Sequence, residues 1–238
     1  MVVRAGSGPR ILLIHGSAAD HTTWSIQLAN PPEGFELVAY DRQTVATVEE
    51  AAAEAAGMID GRAVVVGSSF GAVVALELLR SRQGLVASAL LIEPPMAADD
   101  STSPAPVAFL AEFDRRVEAM GGPAAGEFFL RTVLGDATFE RMPRAFQDRA
   151  KSKWGAIRAD SAALIAYRPR YAELAHVTQP VLLVGGERSP SYFAATLDSL
   201  ERALPNVTRA RLPAGHMLHA EAPRRFNDLL AKLTRGEP

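Results

Sequence analysis

The chain has 238 residues, 48% of them hydrophobic and 22% charged, which suits one α/β domain with an insertion and a sizeable buried core. Its formal net charge of −2 gives bulk electrostatics no reason to draw it to nucleic acid or an anionic membrane. With no cysteine, disulfides, thiolate catalysis and cysteine-ligated metal are all excluded.

Met1 to Pro9 carries one arginine and no apolar core. The first apolar run, Ile11 to Ile14, is too short for a signal sequence or a membrane span, so a cytoplasmic location is expected. Arg10–Ile14 reads as a buried strand closed by His15-Gly16, and Glu36–Tyr40 as a second, closed by Asp41. Thr47-Val-Glu-Glu50 has the form of a capping box opening an alanine-rich helix to Gly57. Ala63–Val66 is a third strand ended by Gly67, followed by a short apolar helix from Gly71 to Arg80. Ala87–Ile92 is a fourth strand, ended by Glu93-Pro94-Pro95.

The alternation of strand and helix breaks between Ala97 and Arg170. Leu110, Phe113, Val117 and Met120 mark one amphipathic helix; Gly121-Gly122-Pro123 punctuates it and starts another, continued by Phe128, Phe129 and Val133. Further helices are expected over Phe139–Trp154 and Ala156–Tyr167. The only compositionally biased stretch is Asp99 to Pro106. This region reads as a helical cap insertion, which divides the chain into a core of residues 1–96 and 171–238 and a cap of residues 97–170; the other reading is extra helices of the same layer. Val181–Val184, ended by Gly185-Gly186, and Val207–Leu212, ended by Pro213, complete six strands. Phe193, Leu197, Leu200 and Leu204 share one helical face, as do Phe226, Leu229, Leu230 and Leu233. Continuous apolar strands alternating with helices predict an α/β fold with a doubly wound, mainly parallel sheet, whose ligand site lies at the C-terminal strand ends.

The strongest chemical signal is Gly67-Ser68-Ser69-Phe70-Gly71, a G-x-S-x-G sequence placed between a strand and a helix. A nucleophile in so tight a turn needs small neighbours two positions away on each side, which Gly67 and Gly71 supply; Ser68 has the wrong offset. The following helix would present free N–H groups and its positive dipole end to Ser69. Serine needs a base. His216, in a loop after the last strand, is the candidate, whereas His176 and His219 are expected at the surface. Backbone N–H groups of Ser17 and Phe70 are the expected oxyanion donors, with Gly16 leaving room for a substrate oxygen. Trp24 and Met217 are substrate-pocket candidates, with a core role for Trp24 the alternative. No nucleotide-binding loop occurs, and His15, Asp20 and His21 lack a metal-site spacing, so no cofactor and no metal are expected.

Together, Ile-Leu-Leu-Ile-His15-Gly16 with Trp24 downstream, Gly67-Ser-Ser69-Phe-Gly71, Val181-Leu-Leu-Val-Gly185-Gly186-Glu187 and Leu212-Pro-Ala-Gly-His216-Met217 resemble the α/β-hydrolase superfamily. The resemblance covers nearly the whole chain and implies a serine hydrolase with Ser69 as nucleophile and His216 as base. It departs from the family in two places. The loop after Tyr40-Asp41-Arg42 is short, and the position where most members carry the triad acid, three residues after Gly186, is Ser189. Some branches, haloalkane dehalogenases among them, place the acid at the end of the strand that here finishes in Glu93. Glu93 is therefore the expected third member; Glu187, Asp99, or a Ser–His pair without an acid are the alternatives. The implied activity is cleavage of a small-molecule carboxylic ester, thioester or lactone. A carbon–carbon bond hydrolase of diketones and a non-catalytic ligand-binding or receptor protein on the same fold are the rivals, and the sequence leaves a homo-oligomer open.

Overall fold

The structure is a computed structural model that describes residues 1–100 and 104–236, so residues 101–103 of the biased stretch lie outside the described residues. Seven strands are described: β1 (Val2–Gly6), β2 (Arg10–Ile14), β3 (Glu36–Tyr40), β4 (Ala63–Ser68), β5 (Val86–Ile92), β6 (Val181–Gly186) and β7 (Val207–Leu212). They form a sheet in the order β1-β3-β2-β4-β5-β6-β7. The six expected strands are all present, and β4 and β6 run on through the glycines expected to end them. The sequence reading missed β1, which pairs antiparallel with β3, Val2 opposite Tyr40. Its residues alternate between half-buried and exposed, as an edge strand does, so it lacks the apolar run that marks the others. All other pairings are parallel.

Successive strand residues enter opposite core layers. Leu12 and Ile14 pack with α2 (Val48–Gly57) and α3 (Phe70–Ser81), while Ile11 and Leu13 join Trp24 and Phe226 of α12 (Pro223–Thr234). All four strand residues are buried, each contributing about 1.5–3 kcal/mol by leaving water. Thr47 caps α2 as expected, its hydroxyl accepting from the Glu50 N–H at 3.1 Å. The Glu50 carboxylate reaches one residue further back than a capping box requires and accepts from the Ala46 N–H at 2.9 Å. The remaining core helices are the short α1 (Ser25–Ala29), α9 (Tyr171–Leu174) and α11 (Leu218–Glu221), together with α10 (Tyr192–Ala203).

Between β5 and β6 lie α4 (Pro104–Met120), α5 (Gly122–Leu134), α6 (Asp136–Arg141), α7 (Arg144–Ser152) and α8 (Trp154–Ala166). The single helix expected over Phe139–Trp154 is two. Met142 and Pro143 are extended, because proline forces its predecessor out of the helical region and cannot donate to the preceding turn. Gln147 Nε2 stitches the break by donating to the carbonyls of Phe139 (2.9 Å) and Met142 (3.0 Å). These helices own small cores, one around Phe113, Ala125 and Ile157, another around Leu130, Phe139 and Ala150.

Besides His216, two histidines belong to the interior. His219 is buried, not at the surface as expected, because α11 turns it inward against Trp24, ring centroids 4.4 Å apart. Its Nε2 meets the Thr23 hydroxyl at 2.9 Å. His15, also buried, accepts the Arg42 backbone N–H at Nε2 (3.1 Å) and donates from Nδ1 to the Gly16 carbonyl (2.8 Å), which fixes a neutral ring with its proton on Nδ1. Burial lowers both pKa values from 6.5 to about 3, helped by the Arg42 charge at His15 and by His216 at His219.

The unfolded chain therefore binds more protons than the folded one between pH 6.5 and about 3. The contribution of both histidines is complete above pH 6.5 and is lost as pH falls through that window, by up to about 1.4 kcal/mol per pH unit for each. Denaturant titrations at pH 7 and pH 5 should register this loss, and His219→Asn should remove about half of the slope. A stability that does not change between those two pH values would contradict neutral burial.

Candidate active site

The sheet register brings distant segments to one place. Ile14 lies opposite Gly67, Ser68 opposite Ile92, and Gly186 opposite Leu212. Residues just past these partners therefore emerge side by side at the C-terminal edge: Gly16 and Ser17 after β2, Ser69 after β4, Glu93 after β5, Ser189 after β6 and His216 after β7. The chain leaves β2 for β3 on one side and returns to β4 on the other, so the gap between β2 and β4 is the topological switch point where such sheets form their crevice.

Ser69 sits there in a strained backbone, φ 55° and ψ −122°, immediately before α3. The two glycines around it are sterically required. A Cβ on Gly67 would come within 2.2 Å of the Gly71 carbonyl oxygen, and one on Gly71 within 2.2 Å of the Ile14 carbonyl oxygen. The turn is tied down by the Ser69 N–H donating to the Ile92 carbonyl at 2.9 Å. Among the described residues, four non-glycine positions have positive φ: Ala18, Ser69, Glu93 and Arg170. Three of these cluster at this edge, where strain of about 1–3 kcal/mol each persists only because the surroundings impose it.

Glu93 and His216, 123 residues apart, meet there. The Glu93 carboxylate contacts His216 Nδ1 at 2.6 Å, and both side chains are buried. Its Oε1 accepts from the Gly186 N–H at 2.7 Å, and Oε2 also accepts from the Ser189 hydroxyl at 2.9 Å. Ser189, the position where the resemblance leads one to expect the acid, thus donates to the acid that arrives from β5. Glu187 and Asp99, the competing carboxylates, are both exposed. Phe193 of α10 stacks on the His216 ring, centroids 4.3 Å apart and planes 8° from parallel. His216 Nε2 is buried with no hydrogen-bond partner. Such a ring is oriented at one nitrogen and open at the other.

A cavity of about 90 Å³ is lined by Ser69, His216, Gly16, Ser17, Met217 and, from α5 to α7, by apolar side chains including Leu130 and Met142. Thr23 and His219 also line it. Gly16 packs against the nucleophile candidate, since a Cβ there would lie 2.9 Å from Ser69 Cβ. Phe70 is the first residue of α3, so its N–H has no acceptor within the helix. Met217 lines the cavity but Trp24 does not; its turn directs the indole into the core beside His219 and Phe226.

A second, charged cavity of about 280 Å³ shares Gly16, Ala18 and Ala19 with the first and is walled by His15, Asp20, Asp41, Arg42, Lys153 and Asp160. Asp20, His21 and Asp41 present atoms within 4.8 Å of one another, a spacing that could hold a cation. Their carboxylates are engaged within the chain, Asp20 with Lys153 at 2.7 Å and Asp41 with the His21 backbone N–H at 2.9 Å and ring Nδ1 at 2.7 Å. The sequence reading missed the polar partners Ser189, Arg42 and Asp160. The one visible signal for Asp160 is an acid set within the Ala-Ile-rich run of α8, where neighbours Ile157 and Ala163 are buried.

A model of the Alpha/beta hydrolase family matches residues 11–229. Solved structures with the same fold include an esterase from Thermogutta terrifontis with malate bound (TM-score 0.80, 23% identity, covering 99% of this chain and 93% of that one). They also include the enol-lactonase from Burkholderia xenovorans LB400 (TM-score 0.82, 18% identity, 99% and 96% covered) and MenH from S. aureus (TM-score 0.82, 12% identity, 99% and 98% covered). At these identities the likeness establishes the fold alone. No curated protein matches the sequence. Among the described residues, no helix is long and apolar enough to cross a membrane. The matched model spans all the strand ends that carry the site, and the chain belongs to the Alpha/beta hydrolase family.

Proposed function

We propose that the chain is a carboxylesterase-like serine hydrolase, cleaving an ester, thioester or lactone through an acyl-enzyme at Ser69, with residues 97–170 acting as a cap over the site. The observation that carries this reading is the buried contact of His216 Nδ1 with Glu93 at 2.6 Å, on the wall of the cavity that Ser69 also lines. Glu93 holds the imidazole in the tautomer that leaves Nε2 free to take the Ser69 proton, and stabilises the imidazolium that forms. The oxyanion sits on the N–H groups of Ser17 and Phe70. His216 then passes its proton to the leaving group and activates the water that clears the acyl-enzyme. The non-catalytic alternative rests on the absent carboxylate at position 189; the contact of Glu93 with His216 supports the catalytic reading over it.

A fluorophosphonate probe should label the native chain at Ser69 and leave Ser69→Ala unlabelled. Folded native protein that resists the probe would sink the reading. Glu93→Gln keeps the shape but removes the charge, and kcat on a p-nitrophenyl ester should fall by about 10³- to 10⁴-fold; a loss of only a few-fold would return the acid role to open question among the other carboxylates. The small apolar cavity favours short acyl chains. Across a p-nitrophenyl series, kcat/KM should be at least about tenfold higher for acetate or butyrate than for decanoate, since each misplaced methylene is worth roughly 1–3 kcal/mol. A preference for the long chain would refute the assignment of this cavity to the acyl group.

A further inference from the structure

We infer that Asp160, on α8 of the helical insertion, is a positioning residue for the oxyanion hole, acting through Arg42, His15 and Ser17. The inference rests on the hydrolase reading above. Asp160 is 2% exposed, deep for a carboxylate that does no chemistry in the proposed steps. Its Oδ2 accepts from the Ser17 hydroxyl at 2.7 Å and from Arg42 Nη2 at 2.8 Å, while Oδ1 lies 3.4 Å from Arg42 Nη1. The Arg42 side chain is 5% exposed, so this is a buried ion pair. Buried pairs of this kind seldom stabilise a fold more than apolar packing would, which makes a role other than bulk stability the better account.

The rest of Arg42 reaches both halves of the hole. Its Nε donates to the His15 carbonyl at 3.1 Å, and its guanidinium lies over the Phe70 ring, 4.5 Å from the centroid. Its backbone N–H donates to His15 Nε2 at 3.1 Å, which leaves the ring proton on Nδ1, and that proton goes to the Gly16 carbonyl at 2.8 Å. The Gly16 carbonyl and the Ser17 N–H belong to one planar peptide unit and point in opposite directions. Fixing the carbonyl therefore aims the N–H. Position 16 must stay glycine, the residue with the freest backbone, because a Cβ there would strike Ser69. Side chains pin the loop in place of its own backbone: Arg42 at the His15 carbonyl, the His15 ring at the Gly16 carbonyl, and Asp160 at the Ser17 hydroxyl. Two of the three pins lead to Arg42, and the third goes directly to Asp160. The helix that carries Asp160 thus completes the hole, and a displaced α8 would leave the peptide free to turn.

The test compares the native chain with Ser17→Ala, which keeps the backbone N–H and loses only the pinned hydroxyl, with Asp160→Asn, and with the double variant. We expect kcat on a short p-nitrophenyl ester to fall by about tenfold in each single variant with KM within about twofold, a milder loss than deleting a donor outright. Affinity for a trifluoromethyl ketone, which mimics the tetrahedral oxyanion, should fall in parallel with kcat/KM. The double variant should lose less than the product of the single losses, because both act on one peptide. If Asp160→Asn does not fold, Ser17→Ala decides alone. Unchanged kcat and ketone affinity, a rise in KM with kcat kept, or fully multiplicative losses would overturn the inference. A native chain that the fluorophosphonate probe does not label would instead overturn the hydrolase reading and this inference with it.

Discussion

A carboxylate removed from water must be met by hydrogen bonds and opposite charge, or it costs several kcal/mol and takes up a proton instead. Glu93 is 1% exposed, and much of the strand-end architecture can be read as meeting that demand. The Gly186 N–H and the Ser189 hydroxyl satisfy part of the carboxylate, and His216 takes the remainder. The glycine pair on β6 is part of the same arrangement. A Cβ on Gly186 would fall 2.5 Å from Ser189 Oγ and 2.6 Å from the Ala214 carbonyl oxygen, closing the space in which the carboxylate, Ser189 and the His216 loop converge. An acid that arrives from β5 needs its neighbouring strand to stay small, and β6 ends in two glycines.

The same economy explains where backbone strain is tolerated. Ser69 and Glu93 both hold positive φ, at 55° and 43°, at the ends of adjacent strands. Neither residue type prefers that region. Each is locked by a neighbour: Ser69 through its N–H to Ile92, and Glu93 through the carboxylate contacts beyond its own strand. Because Ile92 immediately precedes Glu93, the two strained positions share an anchor. That hydrogen bond joins the backbone of the candidate nucleophile to the residue before the candidate acid.

The parts of this arrangement that could be read from the sequence are those governed by local sterics. Gly67 and Gly71 flank Ser69 because nothing larger fits, and a strand running into a helix at that point is visible as an apolar run followed by another. Glu93 was legible for a weaker reason, as a charge at the end of an otherwise continuous apolar strand. Other features depend on register between segments far apart in the chain, which a one-dimensional pattern does not carry. Ser189 reads as a missing acid until β6 is laid beside β5. His219 reads as a surface residue until α11 turns it against Trp24. The split of α6 from α7 has a local signal, since Pro143 stands inside the expected helix. Strand β1 escaped because an edge strand covered on one face needs no apolar run.

Asp160 belongs to the register-dependent kind, and it shows why the helical insertion is more than a roof. An insertion that only covered a pocket would meet the core through apolar contacts, as Leu130 and Met142 do along the cavity wall. Here α8 instead places a charge in the interior, against an arginine that begins the shortened loop after β3. That loop has no glycine of its own, and Arg42 leaves β3 pointing directly at the His15 turn. The backbone of that loop meets the His15 ring through the Arg42 N–H, but the His15 carbonyl is met by the Arg42 side chain. That side chain is buried, and its counter-ion is Asp160. The carboxylate that meets it comes from the insertion, so α8 is bound to the turn beside the candidate nucleophile.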